Sequence, residues 1–229
     1  MRGSIWLGCG SADDERPLWL DMLGGRRTRI VYWPFALPTA MAATADSWLR
    51  TNLDQLGVNY ELQTWQSLHG HVPDELSTDA VDLLFVGGGN TFRLLDEVRS
   101  HGFVDQVRRF WSAGGGYYGG SAGAVLACES IAIAEGHDAN DPGLVDLSGL
   151  GLLPEVTVLP HFTDDQVGAA LQWVAGHGTA IIGLPESIGL HVSPVDGLVR
   201  VIGAGTLSLI SASGIEAIPP GQSFEFALA

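Results

Sequence analysis

The sequence predicts an α/β fold in which helices cover both faces of a mostly parallel β-sheet. Short apolar runs alternate with longer helical stretches through the first two thirds of the chain, a pattern typical of such sheets. Beyond Glu186, turn residues separate the apolar runs, which predicts an antiparallel meander closing one edge of the sheet. The 229 residues, 46% of them hydrophobic, suffice for a sizeable core. We therefore expect a three-layer sandwich that forms a single domain over residues 1–229.

The first strands and helices follow from apolar runs and their boundaries. Apolar runs predict strands at residues 4–8, 29–34, 59–65, 83–87 and 116–119, and helical patterns lie at 39–56, 91–99 and 104–112. Pro38 precedes the first of these helices and Gly57 follows it, a plausible pair of start and stop signals. Further apolar runs at 156–160 and 180–185 predict two buried strands, and the meander is expected at 187–192, 197–202, 206–210 and 223–227.

Composition excludes several classes of partner. The formal net charge is −15 and Lys and Arg total only 11, which argues against nucleic acid or an anionic membrane as a partner. Cys9 and Cys128 stand in apolar stretches, as buried reduced thiols of a cytoplasmic protein do. The first residues lack the features of a signal peptide, and no apolar run reaches the length of about 20 residues that spans a membrane. A cytoplasmic protein is expected, and a homodimer is left open.

Residues 119–125, GGSAGAV, place Ser121 where an apolar strand is expected to turn into a helix. This is the pattern of a nucleophile elbow, in which a strained turn lifts the serine hydroxyl clear of the sheet. Gly119 and Gly123 flank the serine and let strand and helix approach closely. The alternative is a glycine-rich turn without a catalytic role, since the chain has 31 glycines.

A nucleophilic serine needs a base, and His161 is the best candidate among seven histidines. It follows the apolar run 156–160, and open α/β sheets bind ligands at the carboxyl ends of their strands. His137 in a loop and His191 in an apolar strand are alternatives. The other histidines lie in polar or turn-like sequence and are expected at the surface: His69, His71, His101 and His177.

The base in turn needs a group that orients it, and three carboxylates compete for this role. Glu186 follows the apolar run 180–185, while Asp138 and Asp141 lie in the region after the serine. We favour Glu186, because a carboxylate at the end of one strand can reach a histidine at the end of its neighbour. The histidines and cysteines show no spacing of the zinc-ligand kind, so neither a metal nor another cofactor is expected.

A second glycine cluster, Gly87 to Gly89 followed by Asn90 and Thr91, lies between an apolar strand and a helix. Successive backbone N–H groups in such a turn can bind an anion. The spacing fits neither a dinucleotide site nor a P-loop. Beside a nucleophile elbow, the cluster suggests an oxyanion hole formed by a glycine N–H and the N–H of Ala122.

Three blocks resemble the peptidase E family of serine peptidases, whose relatives include the cyanophycinases. They are VGGGNTFRLL at 86–95, GGYYGGSAGA at 115–124 and LPHF at 159–162, in the family's order. The resemblance implies a flavodoxin-like fold related to the class I glutamine amidotransferases, with serine in place of their cysteine.

When the family motif is matched to this sequence, the resemblance implies that Ser121 is the nucleophile, that His161 is the base and that Gly89 belongs to the oxyanion hole. Gly88, Asn90 and Thr91 are then expected near the substrate. The third member of the triad maps onto Glu186 in one version of the family pattern and onto the loop of Asp138 in another.

One departure from the family pattern concerns the substrate. Peptidase E cleaves dipeptides with an N-terminal aspartate, and a basic residue after the catalytic histidine meets that carboxylate. Here residues 162–199 contain neither Lys nor Arg, and Arg93 and Arg50 are the remaining candidates for this cation. We expect a serine peptidase acting on dipeptides or short peptides, which recognises a neutral or basic side chain or a different end of the peptide. A cyanophycinase-like or other amide or ester hydrolase, and a binding domain without catalysis, are the alternatives.

Overall fold

The computed structural model describes residues 2–195 and 197–225, and within them twelve strands form two sheets. The larger sheet has eight strands in the order β12-β9-β8-β1-β5-β4-β2-β3, and the smaller has four in the order β11-β10-β7-β6. The strands are β1 (Ile5–Gly8), β2 (Thr28–Trp33), β3 (Tyr60–Thr64), β4 (Leu83–Val86), β5 (Gly116–Gly120), β6 (Val156–Pro160), β7 (Ala180–Leu184), β8 (Ile188–Val192), β9 (Leu198–Gly203), β10 (Leu207–Ser211), β11 (Gly214–Ile218) and β12 (Ser223–Glu225).

Six α-helices connect these strands within the described residues. They are α1 (Arg16–Leu23), α2 (Thr39–Leu56), α3 (Thr91–Ser100), α4 (Val104–Ser112), α5 (Ala122–Leu126) and α6 (Val167–His177). Gly57 follows the last residue of α2, and its φ of 70° is the left-handed conformation that glycine adopts at low cost. No helix in the described ranges is long and apolar enough to cross a membrane.

Strands β1 to β5 are parallel to one another and carry the core on both faces. Alternate side chains of a strand point to opposite faces, and in β2 Val31 and Trp33 belong to one buried cluster while Ile30 and Tyr32 belong to another. Helices α3, α4 and α5 contribute to the first cluster, and α1 and α2 to the second. The predicted α/β fold with a mostly parallel sheet is confirmed.

The C-terminal strands are antiparallel as predicted, but they are divided between the two sheets. Strands β8, β9 and β12 extend the large sheet beyond β1, whereas β10 and β11 pair next to β7. The prediction of one meander closing one edge was wrong on this point. Gly203 and Gly205, both at positive φ, stand where the chain passes from β9 to β10. The last predicted strand, 223–227, begins as β12, and its final two positions lie outside the described residues.

Helices α1 and α6 and strand β11 were not predicted. Helix α1 buries Leu18, Trp19 and Leu23 and has a proline in its first turn. Its apolar side chains recur at the spacing of four residues that marks a helix face, so the signal was present in the sequence. This helix lies beside the candidate site described next.

Candidate active site

Ser121 occupies the sharp turn between β5 and α5. Its φ is 50° and its ψ is −106°, a conformation that costs a non-glycine residue about 1–3 kcal/mol. Its N–H donates to Gly8 O at 2.8 Å, and its own carbonyl accepts from the N–H groups of Ala124 and Val125 at 2.8 and 3.1 Å. The last strand bond and the first helix bonds thus meet at one residue, which fixes the turn.

The two glycines that flank Ser121 are required by the closeness of strand and helix. A Cβ at Gly119 would lie 2.5 Å from Gly123 O, and one at Gly123 would lie 2.5 Å from Val86 O. Neither backbone oxygen can move without disturbing the turn. The strand-to-helix elbow predicted from GGSAGAV is therefore present.

His161 and Glu186 follow the parallel neighbours β6 and β7, and His161 reaches Ser121 while Glu186 reaches His161. The Ser121 Oγ lies 2.9 Å from His161 Nε2, and His161 Nδ1 lies 3.1 Å from Glu186 Oε1. His161 has a φ of 56°, so the backbone turns sharply where the strand delivers the imidazole. The two side chains are 48% and 62% exposed, so solvent screens their mutual attraction.

Cys9 connects the end of β1 to the loops that carry this histidine and glutamate. The His161 N–H donates to Cys9 Sγ at 3.3 Å, and the thiol donates to Leu184 O at 3.2 Å. Burial raises the pKa of the Cys9 thiol to about 12, so the group is a neutral S–H donor at neutral pH. The sequence predicted a buried reduced thiol here but not its position beside His161.

Asp138, the alternative partner for the histidine, is used elsewhere. Its Oδ2 accepts from the Thr91 N–H at 2.8 Å, at the start of α3. Asn90 caps the same helix, since its Oδ1 accepts from the Arg93 N–H at 2.8 Å, and its Nδ2 donates to Ala139 O at 2.8 Å. Both polar atoms of the Asn90 side chain are thus engaged in holding the loop. Asp141 is exposed.

The glycine loop between β4 and α3 passes close to Ser121. Gly89 has a φ of 133°, and a Cβ there would lie 2.2 Å from Ala36 O. A Cβ at Gly88 would lie 3.1 Å from the Ser121 Cβ and 3.8 Å from its Oγ. Within the described part of the chain, the N–H groups of Gly89 and Ala122 donate no hydrogen bond, so both are free to bind an oxygen atom.

The remaining histidines have other surroundings. His191 lies on β8 with Nδ1 2.8 Å from Asp21 Oδ2 and Nε2 3.1 Å from Ser4 Oγ, and burial lowers its pKa. Its ring stacks on Trp6 at 4.8 Å, so it is a hydrogen-bonded sheet residue. His137 lines a cavity of about 140 Å³ that also reaches Ser121 and His161. No three His, Cys, Asp or Glu side chains cluster as metal ligands in the described ranges.

A larger cavity of about 480 Å³ opens beside Ser121 and His161. Side chains of α1, α2 and the large sheet form most of its walls, with aromatic rings prominent among them. The lining aromatic residues are Trp19, Tyr32, Trp48, Phe85 and Tyr118. Sequence reasoning missed this cavity because residues far apart in the chain build it.

Glu15 lies behind two of these rings and is only 2% exposed. It accepts hydrogen bonds from the Gly10 N–H at 2.8 Å, from Trp19 Nε1 at 2.9 Å and from the Tyr118 hydroxyl. Burial raises its pKa from 4.5 to about 7 in spite of these three donors. The carboxylate therefore holds two walls of the cavity in place.

A serine on a strained strand-to-helix turn of an α/β sheet, hydrogen-bonded to a histidine, defines the class of serine-type hydrolases. The chain belongs to peptidase family S51, whose family model matches residues 7–196. It is similar to peptidase E of Shigella sonnei, with 31% identity over 96% of this chain and 93% of the relative. Peptidase E of Salmonella arizonae is also 31% identical, over 95% of this chain and 92% of its own. The resemblance to the peptidase E family is confirmed, and the protein is a serine-type peptidase.

Two solved structures share the fold. A protein from Listeria monocytogenes EGD-e, named as a candidate peptidase E, superposes with a TM-score of 0.71 at 22% identity, covering 90% of this chain and 100% of its own. A peptidase from an acI-B1 Actinobacterium superposes with a TM-score of 0.69 at 19% identity, covering 99% of this chain and 98% of its own. These likenesses establish the architecture over nearly the whole chain.

Proposed function

We propose that this protein hydrolyses dipeptides or short peptides through a Ser121–His161–Glu186 triad and an acyl-enzyme. The observation that carries the proposal is the continuous line of contacts from Ser121 Oγ to His161 at 2.9 Å and from His161 to Glu186 at 3.1 Å. A nucleophile, a base and an orienting carboxylate in hydrogen-bond reach are the arrangement that activates a serine hydroxyl at neutral pH.

In the first step, the Ser121 hydroxyl donates its proton to His161 Nε2 as Oγ attacks the peptide carbonyl carbon. His161 Nδ1–H donates to Glu186, which favours the tautomer with a free lone pair on Nε2 and stabilises the imidazolium that forms. His161 then returns the proton to the leaving amine, and an acyl-enzyme on Ser121 remains. Water, deprotonated by the same histidine, hydrolyses that ester and regenerates the serine.

The oxyanion of each tetrahedral intermediate is assigned to the free N–H groups of Gly89 and Ala122. The N–H that follows the nucleophile and one from a neighbouring loop form such a hole in elbow enzymes. Each donor contributes about 3 kcal/mol to the transition state in comparable sites. The close approach of the loop, which Gly88 permits, supports this assignment.

Labelling with a small fluorophosphonate tests the nucleophile directly. The wild type should be labelled on one serine and lose its peptide hydrolysis in step with labelling. The Ser121→Ala variant should show neither. Ser100→Ala, a matched change at an exposed position of α3, should behave as the wild type. Undiminished hydrolysis by Ser121→Ala would refute the proposal, and so would labelling that persists in that variant.

We further propose that the protein works in the cytoplasm. Support comes from Cys9 and Cys128, which are free buried thiols, as is usual where the environment is reducing.

A further inference from the structure

We infer that the 480 Å³ cavity beside Ser121 takes a large apolar or aromatic side chain of the peptide, on one side of the scissile bond. The inference rests on the proposed function and goes beyond it by naming the substrate class. It also separates this chain from an enzyme that recognises an N-terminal aspartate.

The walls of the cavity present rings to whatever enters it. Trp48 lies edge-on to Trp19 with ring centroids 6.0 Å apart, and Phe85 stacks on Tyr118 at 4.0 Å. Met41 adds a flexible thioether to the lining. Trp48 and Met41 are 46% and 57% exposed, so apolar surface remains uncovered at the mouth. Covering it with an apolar side chain is favourable.

Two polar groups of the lining, the Cys9 thiol and the Tyr32 hydroxyl, are uncharged at neutral pH. The Cys9 thiol has its pKa raised to about 12 by burial, and burial also raises the pKa of the Tyr32 hydroxyl. The Tyr32 hydroxyl has no hydrogen-bond partner among the described residues, while the Tyr118 hydroxyl donates to Glu15. Cavities of this kind orient a ligand through a few neutral polar groups.

Cations are missing from the cavity lining in the described residues, and the chain contains no lysine. Arg50 is held by Asp46 at 2.8 Å and by Leu62 O at 2.9 Å. Arg93 donates to Leu37 O at 3.4 Å and lines a separate surface cavity. Neither arginine considered for the missing cation therefore replaces it.

An acidic side chain in this cavity would lose water without gaining a Lys or Arg partner, which is costly for a carboxylate. Glu186 lies at the histidine, so this nearby carboxylate also repels it. An apolar side chain gains from burial instead. A difference of about 100-fold in kcat/KM between aromatic and acidic substrates is expected from these effects.

The test compares kcat/KM for the dipeptides Phe-Ala, Ala-Phe, Asp-Ala, Ala-Asp and Ala-Ala. At least one phenylalanine peptide should exceed both aspartate peptides by about 100-fold, and the better order identifies the side of the scissile bond that enters the cavity. Trp48→Ala should lower kcat/KM for that peptide about 10-fold and reduce the preference for that peptide over Ala-Ala to a similar extent. Trp173→Ala, which removes a tryptophan stacked on His177 at 4.1 Å outside the cavity lining, should change neither.

A second variant tests whether a cation added to the cavity improves the hydrolysis of aspartate peptides. Thr44 lines the cavity and is exposed, so Thr44→Arg adds a cation without filling the core. It should narrow the preference for phenylalanine over aspartate at least 10-fold. Aspartate peptides cleaved by the wild type as fast as phenylalanine peptides, together with intact labelling of Ser121, would overturn the inference and leave the peptidase proposal standing. A wild-type protein that shows neither labelling nor peptide hydrolysis would overturn the two together.

Discussion

Replacing Glu15 by glutamine is expected to remove most of a fall in stability that the wild type shows between about pH 5 and about pH 8. Burial raises the pKa of the folded-state carboxyl from 4.5 to about 7. Folded Glu15 therefore holds a proton that the unfolded chain has already released over this range. Its contribution is fully present below pH 4.5 and is lost as pH rises through about 7, because the folded state must then bury a charge.

The size of the effect follows from the two pKa values. At about 1.36 kcal/mol per pH unit, a rise from 4.5 to about 7 corresponds to roughly 3 kcal/mol of unfolding free energy. Other groups work in the opposite direction. Burial lowers the pKa of His191 from 6.5, so its contribution to the stability of the protein is lost as pH falls. The difference between wild type and variant at each pH isolates Glu15 from such contributions.

Urea unfolding followed by far-ultraviolet circular dichroism at several pH values measures this difference. The unfolding free energy of the wild type minus that of Glu15→Gln should decline by about 2.5 kcal/mol from pH 5 to pH 8. Asp14→Asn is the matched control, because Asp14 is a neighbouring acid that titrates outside the range tested. Its hydrogen bonds with Ser11 lower its pKa from 3.8. A difference that is flat with pH would refute the reasoning, since the three donors would then keep Glu15 ionised throughout.

Two further predictions concern the loops around Ser121. Glu186→Gln should lower kcat by at least about 100-fold with little loss of stability. Asp138→Asn should instead lower the unfolding free energy by about 1 kcal/mol, because it weakens the cap of α3, and should keep kcat within a few fold of the wild type. Steady-state kinetics and thermal unfolding measure both effects, and the reverse pattern would favour Asp138 as the orienting acid. Gly89→Ala places a Cβ 2.2 Å from Ala36 O at a φ of 133° and should reduce both kcat and stability, by about 1–3 kcal/mol for the latter. Gly102→Ala is the control, since Gly102 has a φ of 73° and a Cβ there meets nothing within 4 Å. It should lower the unfolding free energy by about 1 kcal/mol and leave kcat unchanged. Equal kinetics for the two variants would contradict a special role for Gly89.

The parts of the site that the sequence predicted are those encoded locally. Ser121 was selected because an elbow needs small residues at fixed positions around the serine, and the structure has no room for a side chain at Gly119 or Gly123. His161 and Glu186 were selected because each follows an apolar run, and these two runs form the parallel neighbours β6 and β7. In each case a single segment carries both the structural and the chemical signal.

The parts that the sequence did not predict depend on pairing between distant segments. Nothing local distinguishes a strand that joins β8 from one that joins β7, so the division of the C-terminal strands between two sheets was missed. Glu15 was overlooked because its burial depends on Trp19 and on Tyr118, a residue 103 positions away. The aromatic cavity likewise needs α1, α2 and the large sheet to be assembled before it exists.

The proposed nucleophile and the proposed base belong to different sheets, since Ser121 follows a strand of the eight-stranded sheet and His161 follows a strand of the four-stranded one. The 2.9 Å separation of their side chains is therefore set by how the two sheets pack, with α5 against β6 and the Cys9 thiol joining the end of β1 to the loops after β6 and β7. A relative shift of about 1 Å can cost an enzyme about 100-fold in rate. Such a shift would leave every strand hydrogen-bonded within its own sheet. The turnover rate is therefore a more sensitive measure of how the two sheets are aligned than the secondary-structure content of the protein.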